Sequence, residues 1–137
     1  MSIGHLNLLP ILVAAVVAWL IGALWYSPVL FAKAWVKAHE HTPEKLASMR
    51  AKAGRAYAGT LVALLVMAAV LQIHLSHLGV DSAARGAAWG FHVWLGFALP
   101  LGFIAHLYSD KRLSVFLIDT GYQLVYITAM GAILAAM

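Results

Sequence analysis

The chain has 137 residues, of which 64% are apolar and only 10% are charged. Globular proteins average roughly 45–50% apolar and about 25% charged residues, so a water-soluble domain of this length could not cover its apolar side chains. Lipid is the solvent in which such side chains need no covering. The sequence contains no cysteine, which excludes disulfides, thiolate chemistry and cysteine-based metal sites.

Four segments are long and apolar enough to cross a hydrocarbon core of about 30 Å, which takes roughly 20 helical residues. Each is expected to be helical, because in lipid a segment must satisfy its backbone hydrogen bonds internally. The strict alternation typical of a β-barrel is not visible. The sequence therefore predicts an all-α integral membrane bundle, a single domain over residues 1–137 with spans at about 6–26, 56–78, 86–108 and 113–136.

The basic residues predict an orientation. Eight of the nine Lys and Arg residues lie in the segment 28–55 or in the connection between the last two spans, and the connection between the second and third spans holds only Arg85. The positive-inside rule assigns the basic side to the cytoplasm, which leaves both termini outside it. Topology explains this placement of charge, so the formal net charge of +4 does not indicate a nucleic-acid partner.

The first span ends in a stretch of aromatic residues, and no charged side chain precedes Lys33. Pro28 cannot donate a backbone hydrogen bond and disfavours helical geometry at Ser27, so the chain is expected to turn there from crossing the bilayer to lying on it. This predicted interfacial elbow consists of Trp25, Tyr26, Ser27, Pro28, Lys33 and Trp35.

The cytoplasmic segment 28–55 is expected to contain two short helices. The charges between residues 29 and 41 predict an amphipathic helix against anionic lipid headgroups, although a basic loop that serves only as a topology signal stays open. Thr42, Pro43 and Glu44 are typical of a helix N-terminus. That helix is expected to continue into the second span with a bend at Gly54.

The last span carries an ionisable residue, which is costly within a membrane and is by default a functional hypothesis. Polar residues follow Asp119 at i+3, i+4 and i+7, namely Tyr122, Gln123 and Tyr126. In the tight hairpin of the last two spans, His106 is expected to contact Asp119. This pair could bind a cation, relay a proton or simply hold two helices together.

The third span carries a second pattern, with His92 and His106 at the two ends of one helical face and Pro100 expected to kink its middle. His92 also belongs to a group of histidines near the outer leaflet that are weak candidates for a metal or haem site. Their spacing does not match a dedicated site, and histidines in a wet interface are usually unliganded. No cofactor is therefore predicted; the weak candidates are His5, His74, His77 and His92.

Small residues recur every four positions in several spans, a spacing that lets helix backbones approach closely in membranes. These stripes exceed what one small bundle needs and favour a homo-oligomer. They are formed by Ala14, Ala18 and Gly22, by Gly86 and Gly90, by Ala98 and Gly102, and by Thr128, Ala132 and Ala136.

The elbow and the last span together resemble the domain-of-unknown-function 1761 family, small four-helix integral membrane proteins found mainly in bacteria. The resemblance implies four spans and a bacterial cytoplasmic (inner) membrane, and it implies no activity. The family pattern places His after Gly-Tyr in the last span, where this chain has Gln123. The resembling motifs are Trp25-Tyr26-Ser27-Pro28, Leu30-Phe31, Lys33-Ala34-Trp35, Gly121-Tyr122-Gln123-Leu124-Val125 and Met130-Gly131-Ala132-Ile133-Leu134.

No nucleophile–base pair, phosphate-binding glycine loop or paired-carboxylate site is visible in the sequence, so enzymatic activity is a minor alternative. The favoured hypothesis is an oligomer that binds or passes a small solute, ion or lipid along the polar stripe within the bundle. The other hypothesis is a non-catalytic structural protein that binds lipid or a partner.

Overall fold

The computed structural model describes residues 5–137. These residues are helical and contain no strand. Four helical segments are long and apolar enough to cross a membrane, which confirms the all-α prediction with four spans. The segments are Leu8–Trp25, Ala53–His77, Ala83–Leu107 and Leu113–Ala136.

The helices are numbered in chain order. Two short helices, α2 and α3, lie between the first two spans, and a five-residue π-helical turn, Trp94–Ala98, joins α5 to α6 within the third span. The helices are α1 Leu8–Trp25, α2 Ala32–His39, α3 Pro43–Ala51, α4 Ala53–His77, α5 Ala83–Val93, α6 Leu99–Leu107 and α7 Leu113–Ala136.

The irregular turn of the third span lies just before Pro100. Proline cannot donate to the carbonyl four residues earlier, which here belongs to Gly96. The backbone N–H of Leu99 instead donates to the carbonyl of Trp94, five residues earlier. A π-helical turn thus accommodates the hydrogen bond that proline cannot donate, and the third span remains one continuous helical segment.

Helix α7 is the central element, since it packs against α1, α4 and α5. Its contact with α5 is a backbone-to-backbone approach at glycine. A Cβ atom at Gly90 would lie 2.5 Å from the carbonyl oxygen of Ile127, and one at Gly86 would overlap the carbonyl of Gly131. These glycines therefore pack against another helix of the same chain. The stripe of Gly86 and Gly90 thus does not support a homo-oligomer.

The apolar core lies between α1, α4 and α7. Ala14 on α1, Ala68 on α4 and Met130 on α7 are fully buried there. At the far end of α4, the amide side chain of Gln72 exchanges two hydrogen bonds with the backbone of Asn7, at 2.9 and 3.1 Å. Helices α1 and α4 are therefore in contact both in the apolar core and at the end where Asn7 meets Gln72.

The two short helices differ in detail from their predicted forms. The Thr42 hydroxyl accepts a hydrogen bond from the backbone N–H of Lys45 and caps α3, as its sequence indicates. The break before the second span falls at Lys52 and not at Gly54. Lys52 adopts φ −100° and ψ 0°, a conformation open to any residue, so glycine is not required for this bend.

Candidate functional site

Asp119, on α7, is the centre of the candidate site. One of its carboxylate oxygens, Oδ1, accepts a hydrogen bond of 2.6 Å from the Tyr26 hydroxyl. The same oxygen accepts one of 3.2 Å from the indole Nε1 of Trp35. Hydrogen bonds to a charged acceptor are the stronger kind. The elbow and Asp119, which are separate features in the sequence, therefore form one site.

The elbow has a defined local structure, which positions these donors. Helix α1 ends at Trp25, and the Ser27 hydroxyl donates a 2.6 Å hydrogen bond to the carbonyl of Leu24. The backbone N–H of Phe31 then donates to the carbonyl of Trp25 at 3.0 Å, which closes the turn around Pro28. The chain thus leaves α1 and enters α2 within six residues.

Two further contacts hold the elbow and α2 against α7. The indole Nε1 of Trp25 donates a 3.0 Å hydrogen bond to the backbone carbonyl of Ile118. Beyond the end of α2, Glu40 forms a 2.6 Å ion pair with Arg112, just before α7. That pair is exposed and contributes little energy, so the indole and hydroxyl donors are the main attachment of α2 to α7.

The second oxygen of Asp119 accepts no hydrogen bond from the described residues, and Asp119 lines a cavity of about 200 Å³ between α6 and α7. We call this cavity the Asp119 pocket. Ser109 and Lys111, in the connection between the two helices, line the end of the pocket nearest that connection, which we call its mouth. It is lined by Gly102, Ala105, His106, Ser109, Lys111, Val115, Phe116, Asp119, Thr120 and Gln123.

Two buried polar atoms of this pocket have no hydrogen-bond partner within residues 5–137: Thr120 Oγ1 and Gln123 Oε1. Thr120 is only 6% exposed. Buried polar atoms in proteins are nearly always satisfied by protein, water or ligand. Asp119, Thr120 and Gln123 thus line one cavity, and each carries an acceptor oxygen that is not paired with a donor of the described residues.

The polar stripe predicted on α7 divides between two faces. Asp119 and Gln123 line the pocket, whereas the Tyr122 hydroxyl donates a 3.0 Å hydrogen bond to the backbone carbonyl of Ala18 on α1. The ring of Tyr126 lies 4.6 Å from that of Tyr122 and is buried in the core. The two tyrosines therefore stabilise the α1–α7 contact and do not line the pocket.

The two histidines of the third span also separate. His106 lines the Asp119 pocket, but its ring stacks on Phe116 at 5.4 Å and forms no hydrogen bond with Asp119. His92 is exposed near the opposite end of the span, where its Nδ1 pairs with the carbonyl of Ala88 at 2.6 Å. The structure brings His106 to the site and leaves His92 outside it.

The weak metal candidates do not converge in the described part of the chain. His74 and His77 are exposed, and the Nδ1 atom of each pairs with a backbone carbonyl four residues earlier. His5 is also exposed. Between residues 5 and 137, no three His, Cys, Asp or Glu side chains form a group that could hold a metal ion.

Thr120 lines the site but is not evident as a site residue from the sequence. It lies one position after Asp119 and three before Gln123, so helical spacing places all three within one turn. The hydroxyl of a threonine in an apolar helix usually donates to a backbone carbonyl of the preceding turn. The presence of a threonine in the sequence therefore does not indicate a binding site. Only the unpartnered hydroxyl in the folded chain identifies it.

The fold and the site define a multi-pass helical membrane protein with a polar pocket between its last two spans. The family model for proteins of unknown function DUF1761 matches residues 9–135. The chain therefore belongs to this family, which confirms the resemblance of its motifs. No curated protein and no solved structure matches the chain.

The hydrogen bonds to Asp119 lead to a first test. Tyr26→Phe removes the 2.6 Å donor, and we expect it to lower the free energy of unfolding by about 1–2 kcal/mol, since the carboxylate loses a charge-assisted bond. Tyr108→Phe is the matched control, because it removes the same hydroxyl from a residue that is 90% exposed. Thermal unfolding in detergent measures both. Equal melting temperatures for the two variants would contradict the role of Tyr26.

Proposed function

We propose that this membrane protein binds a small solute carrying an ammonium group in the Asp119 pocket. The observation that carries the proposal is that Asp119, Thr120 and Gln123 line one cavity, while the second Asp119 oxygen, Thr120 Oγ1 and Gln123 Oε1 have no donor within residues 5–137. An ammonium group offers three N–H donors and one positive charge. It therefore matches both the number of acceptors and the charge of the site.

The size and lining of the pocket favour a small solute. A water molecule occupies about 30 Å³ in the liquid, so a cavity of about 200 Å³ has room for a few non-hydrogen atoms. Val115, Phe116 and Ala105 supply apolar surface for an alkyl group. Lys111, at the mouth, is opposite in charge to Asp119, and this pattern suits a zwitterion with its ammonium group innermost.

The depth of the pocket favours binding over passage by one chain. Gln123 lies ten residues after Leu113, or about 15 Å along a helix of 24 residues that spans about 36 Å. The pocket therefore reaches less than halfway across. Passage of a solute, as the sequence analysis considers, would need a further pathway from a second chain.

A homo-oligomer is part of the proposal and has separate support. Only 6% of the third span is buried within one chain, against 22–28% of the other three. Because packing drives helix association in membranes, a second copy against the third span would give it comparable burial. Light scattering of the purified protein in detergent measures the mass of the assembly.

We propose the bacterial cytoplasmic membrane as the location, with the pocket mouth and the basic segment 28–55 in the cytoplasm and both termini outside. The support is the placement of eight of nine basic residues on one side of the four spans. Solutes would then enter the pocket from the cytoplasm. A C-terminal reporter that is active only in the cytoplasm should stay inactive.

A second candidate is a structural protein in which Asp119 only attaches the elbow. The hydrogen bonds from Tyr26 and Trp35 favour this candidate. Titration of the purified protein with ethanolamine, glycine and methylammonium, followed by calorimetry, separates the two candidates. Saturable binding of an ammonium compound supports the pocket, and the absence of binding by all three compounds supports the structural role.

A pair of threonines on α7 gives a sharper test. Thr120 and Thr128 both have a buried hydroxyl without a hydrogen-bond partner among residues 5–137, but only Thr120 lines the pocket. Replacing either by valine removes an unsatisfied polar atom, so we expect each variant to be as stable as the original chain or up to about 1 kcal/mol more stable. Only Thr120→Val should weaken ammonium binding, by about three- to tenfold, as measured by calorimetry. Equal affinities of the two variants would contradict the proposed site.

A further inference from the structure

A second group of polar side chains lies outside the Asp119 pocket, where α2 ends and α3 begins. The ring of His41 lies 5.3 Å from that of Trp35 and 4.9 Å from that of His39. The His41 Nδ1 atom is buried and has no hydrogen-bond partner within residues 5–137. A ring nitrogen in this position needs a partner that the described chain does not supply.

Two lysines from different elements lie close to His41. Lys45 is in the first turn of α3, which Thr42 caps directly after His41. Lys111 precedes Arg112, and the ion pair of Arg112 with Glu40 brings the α6–α7 connection next to His41. Burial, with the nearby His39, Lys45 and Lys111, lowers the pKa of His41 below its ordinary value of 6.5.

The acidic residues nearby form no ion pair with these lysines in the described part of the chain. Across the described residues, the ion pairs are Arg85 with Asp81 and Arg112 with Glu40. Glu44 and Asp110 are sequence neighbours of Lys45 and Lys111, and neither forms an ion pair with them. Lys45 and Lys111 therefore lie near an unpartnered imidazole nitrogen and form no ion pair within residues 5–137.

We infer that His41, Lys45 and Lys111 form a binding site for a phosphate group, carried by a lipid headgroup or by a soluble phosphate ester. Phosphate oxygens accept hydrogen bonds from an imidazole N–H and from ammonium groups. The site lies at the basic end of the spans, at the depth where the phosphates of a bilayer are expected. It is separate from the Asp119 pocket, with which it shares only Lys111.

The test uses the full chain in a non-ionic detergent, titrated with short-chain phosphatidylglycerol and, separately, with short-chain phosphatidylcholine. Native mass spectrometry counts the bound lipids. We expect preferential binding of phosphatidylglycerol, and we expect Lys45→Gln to weaken it about fivefold, since a basic residue near an anionic headgroup contributes about that factor. Lys52→Gln, an equal loss of charge at an exposed residue outside the cluster, should change the affinity less than twofold.

A second variant and a competitor complete the experiment. His41→Phe should also weaken the binding, because it keeps an aromatic ring and removes the imidazole N–H donor. If inorganic phosphate displaces the lipid, the site recognises a free phosphate group; if it does not, the site is specific for the lipid headgroup. Equal binding of the two lipids, or equal losses in Lys45→Gln and Lys52→Gln, would overturn the inference. Neither result would bear on ammonium binding at Asp119.

Discussion

Asp119→Asn should weaken ammonium binding by about 10- to 100-fold, because it removes the negative charge opposite the ligand. A hydrogen bond to a charged group contributes about 1.5–3 kcal/mol, and each 1.4 kcal/mol corresponds to about tenfold in affinity. The amide oxygen of asparagine can still accept from Tyr26 and Trp35, which donate to Oδ1 in the structure. Calorimetry with ethanolamine measures the change in affinity.

The stability of the same variant separates a binding role from a structural one. We expect Asp119→Asn to keep the oligomeric mass of the original chain and to lower the melting temperature less than Tyr26→Phe does, because the amide oxygen can still accept both hydrogen bonds in a weaker, neutral form. A variant that misassembles, with no change in the affinity of the folded fraction, would show that Asp119 serves only to attach the elbow. Tyr26→Phe gives the complementary result, since it weakens the attachment and leaves the charge in place.

Gly86→Ala should cause the largest loss of stability, at least about 3 kcal/mol. An added Cβ would overlap the carbonyl of Gly131 and lie 2.5 Å from the side chain of Ala135. Overpacking of a close-packed site typically costs about 1–3 kcal/mol, and here the obstacle is backbone, which cannot rotate away. Thermal unfolding in detergent measures the effect.

Gly96→Ala is the matched control for this substitution. It adds the same methyl group to the third span, at a position where a Cβ would meet no atom within 4 Å. We expect it to leave stability unchanged or slightly raised, because alanine has the higher helix propensity. Similar losses in both variants would mean that the α5–α7 glycine contact does not determine stability.

The α5–α7 contact also helps to determine the shape of the Asp119 pocket. Helix α6 continues from α5 within one span and forms one wall of the Asp119 pocket, through Gly102 and His106. Displacing α5 from α7 would therefore move that wall. The folded fraction of Gly86→Ala should bind ethanolamine more weakly than the folded fraction of Gly96→Ala.

The spans could be predicted from the sequence because hydropathy over about 20 residues is a local property. The elbow at Pro28 and the cap at Thr42 follow from local chemistry as well. The bend at Lys52 could not be predicted, because its negative φ does not require glycine and so leaves no specific residue signal in the sequence. Local rules thus locate the elements and leave some of their ends undetermined.

Only part of the candidate site could be predicted from the sequence. Asp119 is evident as an ionisable residue in an apolar helix, but Trp35 lies 84 residues away in sequence and reaches it only through the packing of α2 on α7. Periodicity groups Tyr122 with Asp119, although the hydroxyl of Tyr122 bonds to α1. A 3.6-residue repeat gives a helical face about 100° wide, which is too broad to separate two neighbouring helix contacts.

The most direct measurement of the central claim is the ¹³C NMR resonance of the Asp119 carboxylate in aspartate-labelled protein. The chain has only three aspartates, Asp81, Asp110 and Asp119, so Asp119→Asn assigns the resonance. We expect saturating ethanolamine to shift the Asp119 signal and to leave the signals of Asp81 and Asp110 in place. An Asp119 signal that does not move, or three signals that move together, would contradict binding of an ammonium group in the pocket.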